Sequence, residues 1–262
     1  MKIEFYKYQG TGNDFVIVDN RTNAYASLTP KQVKLICNRN FGVGADGLML
    51  LGKKEGYDFE MIYYNSDGNQ STMCGNGGRC LVQFAYHRGI IRSTYHFSAI
   101  DGDHKAEIDA DGTVSLQMQN VDLVDYHKSY AIINTGSPHY VKFDTEVKNI
   151  DVATTGHEIR YSKEFALQGI NVNFVESTGE DSIFVRTYER GVENETLSCG
   201  TGVTAAALLS AHNEKGFNTV RVSTLGGNLS VEFNKIDDQH FDNIWLCGPA
   251  ELVFSGVIEM NA

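Results

Sequence analysis

Met73-Cys74-Gly75-Asn76-Gly77-Gly78-Arg79-Cys80 runs directly into Leu81-Val82-Gln83-Phe84-Ala85-Tyr86, and the reading of this stretch decides the fold. A second version comes later: Ser198-Cys199-Gly200-Thr201-Gly202-Val203-Thr204, running into Ala205-Ala206-Ala207-Leu208-Leu209-Ser210-Ala211. Each sets a cysteine before Gly-polar-Gly and then opens an apolar run of helix-forming residues. A strand-like segment precedes each, at residues 59–64 and 182–188. Many short strands, glycine turns and few helices predict an α+β protein. The repeated device makes it two similar, pseudo-symmetric β-rich domains, each wrapped around one central helix.

The chemistry of such a stretch is specific. Glycines let the backbone approach a ligand closely and turn sharply into a helix. The helix start offers unpaired N–H groups and a partial positive charge, which together form an anion site. A cysteine there has its thiolate favoured, its pKa lowered from about 8.5 towards neutrality or below. Two such sites make two activated thiols able to act on one bound carboxylate compound. One thiolate removes a Cα proton, and the other thiol returns one to the opposite face. An isolated Cys-Gly-x-Gly reads as a structural cysteine beside a turn; its duplication before two apolar helices turns the reading towards catalysis.

Composition narrows the alternatives. A chain of 262 residues with 42% hydrophobic and 11% aromatic content builds a real core, as one large domain or two. The formal net charge of −11 lacks the basic footprint that nucleic acid requires. No apolar run approaches the length needed to span a bilayer, and the first residues lack a signal-peptide pattern. Five cysteines at irregular spacing argue against a disulfide framework, so a cytoplasmic, reduced protein is the reading. No Cys/His spacing resembles a metal site, since His157-Glu158 lacks the second histidine of H-E-x-x-H. No lysine motif points to a pyridoxal cofactor, and no cofactor is expected.

Along the chain, strands are predicted at residues 3–8 and 15–19 as a hairpin, then a helix from Pro30 with Thr29 as its N-cap. Val33, Ile36 and Cys37 share that helix's inner face. Gly42-Val43-Gly44-Ala45-Asp46-Gly47 reads as a tight turn before a strand at 48–51, since it is neither a dinucleotide fingerprint nor a P-loop. Further strands fall near 94–99, 104–109, 113–119, 131–134, 140–143, 172–176, 183–188, 219–224, 229–233, 243–246 and 252–254. The domain boundary is placed near residues 120–125, giving one domain of 1–120 and another of 121–249. Cys80 and Cys247 read as core residues.

Cys74-Gly-Asn-Gly and Cys199-Gly-Thr-Gly, with Glu189-Arg190-Gly191 upstream of the second, closely resemble diaminopimelate epimerase. The resemblance extends to Gly10-Thr11-Gly12-Asn13-Asp14-Phe15, to Gly42–Gly47, to Asn65-Ser66-Asp67-Gly68 and to Gly136-Ser137-Pro138-His139, in the family's order across nearly the whole chain. It implies two domains with the active site in the cleft between them, and a final strand, about 250–262, returning to the first domain. It implies interconversion of L,L- and meso-2,6-diaminopimelate, a step of lysine and peptidoglycan precursor synthesis, without a cofactor. Cys74 then acts on the L,L substrate and Cys199 on the meso form, with His139 and Glu189 assisting catalysis. Substrate binding falls to Asn13, Asn65, Gly75, Asn76, Asn171, Glu189, Arg190, Gly200 and Thr201. Arg190 takes the distal carboxylate, a task suited to its planar fork. The family includes homodimers, although the sequence shows no surface stripe that argues for one.

This chain departs from the family in three places. Ser137 stands where many members have asparagine, Gly47 where some have a glutamine, and one extra residue lies near Glu193-Asn194. Four competing readings remain: a proline racemase, a phenazine-type isomerase, which lacks the paired cysteines, a dithiol redox protein, which the absence of C-x-x-C disfavours, and a non-catalytic anion-binding module built on the glycine loops.

Overall fold

Lys2–Gly10 (β1) and Asn13–Asp19 (β2) form an antiparallel hairpin with Gly10 opposite Asn13. Thr11 and Gly12 take φ of +50° and +86°, the two positive values a tight two-residue hairpin turn needs. These features belong to a computed structural model that describes residues 1–211 and 215–260. The chain divides into two compact units, Met1–Leu116 with the chain from Gly248 onward, and Gln117–Cys247.

In the first unit β2 runs parallel to β3 (Gly47–Gly52), with Phe15 opposite Gly47. Parallel neighbours need a crossover, and α1 (Pro30–Cys37) supplies it. Thr29 caps α1 in a capping box with Gln32, and Val33, Ile36 and Cys37 turn into a core with Ile3, Val16 and Leu48. β3 pairs antiparallel with β4 (Phe59–Asn65), which runs parallel to β5 (Thr94–Ala99) across a second crossover, α2 (Gly75–His87). Antiparallel β6 (Gly102–Ile108) and β7 (Val114–Gln117) follow. Every residue of α2 from Gly75 to Ala85 is buried, so this helix is the centre of the unit.

The second unit opens with β8 (Val124–Tyr126) and β9 (Ala131–Asn134), and β9 pairs antiparallel with β10 (Pro138–Phe143). β10 runs parallel to β11 (Asn171–Gly179) across α3 (Val152–Arg160), and β11 pairs antiparallel with β12 (Ser182–Glu189). After the short β13 (Asn194–Thr196) and α4 (Gly200–Ser210), β14 (Gly216–Thr224) lies parallel to β12. Antiparallel β15 (Gly227–Lys235) and β16 (Phe241–Gly248) complete it. The two units therefore repeat one order of pairings: antiparallel, parallel, antiparallel, parallel, antiparallel, antiparallel. α1 corresponds to α3, and α2 to α4.

Sequence reading finds no element between residues 143 and 172, where the structure has a short 3₁₀ turn at Val147–Asn149 and α3. Gly156 interrupts the helical pattern there. It is also where α3 crosses β12, since a Cβ on Gly156 would lie 2.4 Å from Tyr188 Cβ. The short β8 and β13 are likewise unforeseen. The last strand, β17 (Glu251–Glu259), pairs antiparallel with β1 in the first unit. Of the predicted closing segment, residues 261 and 262 lie outside the described residues. Leu252, Val253, Phe254 and Val257 of β17 are all exposed, an apolar stripe that the sequence reading does not find. No helix among the described residues is long and apolar enough to cross a membrane.

Candidate active site

The repeat supplies a map of equivalent positions. In the first unit Phe15, Gly47 and Asn65 stand in one row across β2, β3 and β4. In the second, His139 stands opposite Asn171, with Glu189 one step beyond the Val172–Tyr188 pair. Gly47 thus corresponds to Asn171, Asn65 to Glu189, and, two residues before the row, Asn13 to Ser137. Most residues singled out from the sequence lie on these strand ends or on the two helix starts.

Cys74 and Cys199 occupy the same place in their units. Each is the N-cap of its helix in extended conformation, and neither thiol caps the helix. Each carbonyl begins the helical ladder, accepting from Gly78 N–H at 2.7 Å and from Val203 N–H at 2.8 Å. Cys74 is half-buried and Cys199 buried. The other cysteines differ: burial pushes the thiols of Cys37 and Cys80 up to about 12, and Cys247 is buried on β16. A thiol held that high is inert at neutral pH.

Around Cys74, the thiol lies 3.6 Å from Asn13 Oδ1 and donates to it. Asn13 is oriented by its other amide atom, Nδ2, which donates to Asp46. Asp46 in turn accepts from Arg39 at 2.9 Å, and Arg39 grips Asp14 with both nitrogens at 2.7 and 2.9 Å. Lys7 closes the cluster on Asp14 at 2.7 Å and also donates to Gly44 O. The glycine loop at 42–47 is therefore a turn whose Asp46 carboxylate holds Asn13 towards the thiol and whose Gly44 carbonyl accepts from Lys7. Gly75 and Asn76 are buried in the first turn of α2, where Asn76 Oδ1 accepts from Arg79 at 3.0 Å. Arg79, fully buried, also donates to Thr11 Oγ1 at 3.3 Å. The sequence reading passes over Arg79; its signal is a cation one turn into a helix that opens on glycines.

Asn65 is exposed at the end of β4, where its backbone closes the turn to Asn69. Gly47 has no room for a side chain, because a Cβ there would meet Tyr63 Cε2 at 2.5 Å and Tyr64 O at 2.6 Å. Tyr63 fills the space a larger residue would use.

The second unit gathers more polar groups. Cys199 Sγ lies 3.5 Å from Thr201 Oγ1, and Thr135 Oγ1 donates to Thr201 O at 2.9 Å, fixing the first turn of α4 that also holds Gly200. Asn171 is buried: its Oδ1 accepts from Arg190 N–H at 2.9 Å, and its Nδ2 donates to Ser137 Oγ at 2.9 Å and Pro138 O at 3.1 Å. Arg190 is anchored through Gln168 O at 3.0 Å and Ser137 Oγ at 3.2 Å. Ser137 thus joins Asn171 to Arg190 despite its short side chain. Glu189, half-buried, ends β12. Just beyond it, Glu193 takes φ +57°, returns its N–H to Glu189 O at 2.8 Å and accepts Gly191 N–H at 3.0 Å. His139 is fully buried on β10, and burial, followed by the charge of Arg190, pushes its imidazole down to about 3.

The Asp14 cluster has a pH consequence. Burial pushes its carboxyl up, but hydrogen bonds and charge from Arg39 and Lys7 outweigh that and hold it at about 2. A folded pKa below the unfolded one gives stability that is present above pH ~4 and lost as pH falls towards 2. With solvent screening at this partly exposed cluster, the loss is on the order of 1–2 kcal/mol. Acid titration of urea stability should show it in the wild type. In Asp14→Asn, already weakened at neutral pH, that part of the acid slope should be missing; equal slopes would contradict the reading.

A family model described as diaminopimelate epimerase matches residues 5–124 and 131–253. The chain is 50% identical over 257 residues to the diaminopimelate epimerase of Flavobacterium psychrophilum, covering 98% of this chain and all of that protein. It is 44% identical over 261 residues to that of Chlorobaculum tepidum, covering 96% and 99% of the two chains. Among solved structures, a Bacillus anthracis phenazine biosynthesis protein of the PhzF family superposes with TM-score 0.77 at 16% identity, over 99% and 100% of the two chains. A probable proline racemase from Agrobacterium radiobacter superposes at 0.67 with 12% identity, over 99% and 93%. These two likenesses carry the fold alone.

Proposed function

The chain belongs to the diaminopimelate epimerase family, and from that premise we propose that Cys74 and Cys199 are the acid–base pair with which it interconverts L,L- and meso-2,6-diaminopimelate. The observation that carries this reading is the repeated helix start. Two thiols, each an N-cap that spends nothing on capping, stand at equivalent places in two units of like topology. Inversion at one carbon needs a base on one face and an acid on the other, which one thiolate and one thiol provide. With the L,L isomer the Cys74 thiolate takes the Cα proton, and the Cys199 thiol delivers its own to the opposite face. The meso isomer reverses the roles.

An amino-acid Cα–H is a weak acid, so charge developing on the carboxylate side must be stabilised. Backbone N–H groups at Gly75, Asn76, Gly200 and Thr201 are the donors for that task, with no cofactor taking up the electrons. Arg190 holds the distal carboxylate, supported from behind by Ser137 and Gln168 O. Asn13 and Asn65 supply amides that accept from ammonium and donate to carboxylate, whereas Asn171, whose Nδ2 protons are both taken by Ser137 and Pro138, keeps one Oδ1 lone pair for an ammonium. Asn13 has the added task of setting the Cys74 thiol, and Glu189 serves at the end of β12. The units Met1–Leu116 with the returning chain and Gln117–Cys247 are the two halves of the enzyme in this reading.

The test sets two substrates side by side. Reduced protein should convert L,L-diaminopimelate to the meso isomer and leave L-proline unchanged, since proline has no second carboxylate for Arg190. Racemised proline with unchanged diaminopimelate would refute the proposal.

A further inference from the structure

Under the first turn of α2 the first unit packs three apolar-bodied residues, Phe15, Met49 and Tyr63. A Cβ on Gly77 would touch Met49 Sδ at 3.3 Å and Phe15 at 3.4 Å, and Met49 stands opposite Tyr63. The repeat carries Phe15 to His139, Met49 to Asn173 and Tyr63 to Thr187. Gly77 corresponds to Gly202, whose added Cβ would lie 2.3 Å from Asn173 Oδ1 and 3.3 Å from Thr187 Oγ1. The second unit has therefore replaced a hydrophobic layer with a polar one, although all three residues are buried. The first unit shows that the fold itself is satisfied by apolar side chains there. Burying polar groups instead demands that their hydrogen bonds be made.

The bonds form a chain with one direction. Thr187 Oγ1 donates to Asn173 Oδ1 at 2.9 Å, and Asn173 Nδ2 donates to Tyr140 O at 3.0 Å. A carbonyl only accepts, so the Tyr140 contact fixes which end of the amide is the nitrogen. The same nitrogen lies 3.1 Å from His139 Nδ1 and offers it the second amide proton. Nδ1 must then present its lone pair, and the ring proton belongs on Nε2. Nε2 is buried and has no hydrogen-bond partner among the described residues. We infer that Asn173 and Thr187 are positioning residues that hold His139 as the neutral Nε2–H tautomer, so that it meets the reacting groups as a hydrogen-bond donor. Burial lowers the imidazole's pKa and so favours the neutral ring, which leaves Nε2–H as a donor. The inference rests on the proposed epimerase reading and on the catalytic role that the family resemblance implies for His139.

The test is ¹⁵N NMR of histidine-labelled protein in long-range proton–nitrogen spectra, with His139→Gln identifying the signal. Wild type should show the proton on Nε2. In Asn173→Asp, a carboxylate accepts from the ring and the proton should move to Nδ1, with kcat for diaminopimelate falling at least about tenfold and KM little changed. Thr187→Val, which keeps the shape and removes the donor, should lower kcat in the same direction and serves as the reporter if Asn173→Asp does not fold. A wild-type proton on Nδ1 overturns the inference whatever the rates do. Loss of activity in His139→Gln, with none in folded Asn173→Asp, also overturns it and leaves the role of His139 standing.

Discussion

Cys74→Ala and Cys199→Ala, each alone, should lower kcat/KM for diaminopimelate epimerisation by at least about 10³-fold in both directions, with folding intact. Neither thiol contributes a helix cap, so its removal leaves both helix starts as they are. The loss must run both ways because the group that removes the proton in one direction returns it in the other. A role for either cysteine confined to packing would appear as a change in melting temperature with the rate preserved. The buried Cys247 gives the contrasting control: Cys247→Ala should cost stability and leave the rate close to wild type.

The second large effect is on stability. Gly202→Ala sets a methyl 2.3 Å from Asn173 Oδ1, an atom already engaged by Thr187. Overpacking of this kind costs about 1–3 kcal/mol, against a gain of up to about 1 kcal/mol in helix propensity. The net is destabilising, because Asn173 cannot yield without breaking its bonds to Tyr140 O and His139. A fall in melting temperature of roughly 2–10 °C is the expected reading by calorimetry. Gly179→Ala, whose methyl would have Ser182 no closer than 3.6 Å, should leave the melt unchanged. A Gly202→Ala protein as stable as wild type would contradict the packing of α4 on this layer.

Much of this architecture is legible in the sequence because its signals are local. The Cys-Gly-polar-Gly starts, the Thr29–Pro30 cap and the alternating strands each depend on a few neighbouring residues. The missed α3 shows the limit: Gly156 weakens the helical pattern, and the reason for it, the face of Tyr188, lies 32 positions along the chain. The order of strand pairings would have required a helix there, but that order belongs to tertiary structure. The same holds for the site. Cys74 and Cys199 stand out by motif, whereas Arg79, Asp46 and Asn173 matter through partners distant in sequence. Ser137 and Gly47, two of the three departures from the family pattern, also resolve only in space. The serine reaches Asn171 and Arg190, and Tyr63 occupies the volume beside the glycine.

The central claim, one proton removed by one thiol and another returned by the second, is tested most directly in D₂O. Reduced protein is incubated with L,L-diaminopimelate, and Cα deuterium in substrate and product is followed by NMR during early turnover. The account predicts meso product carrying deuterium at the inverted carbon while unreacted L,L isomer remains protonated there. Product that keeps its original proton would mean a single base serving both faces, and would contradict the two-thiol account.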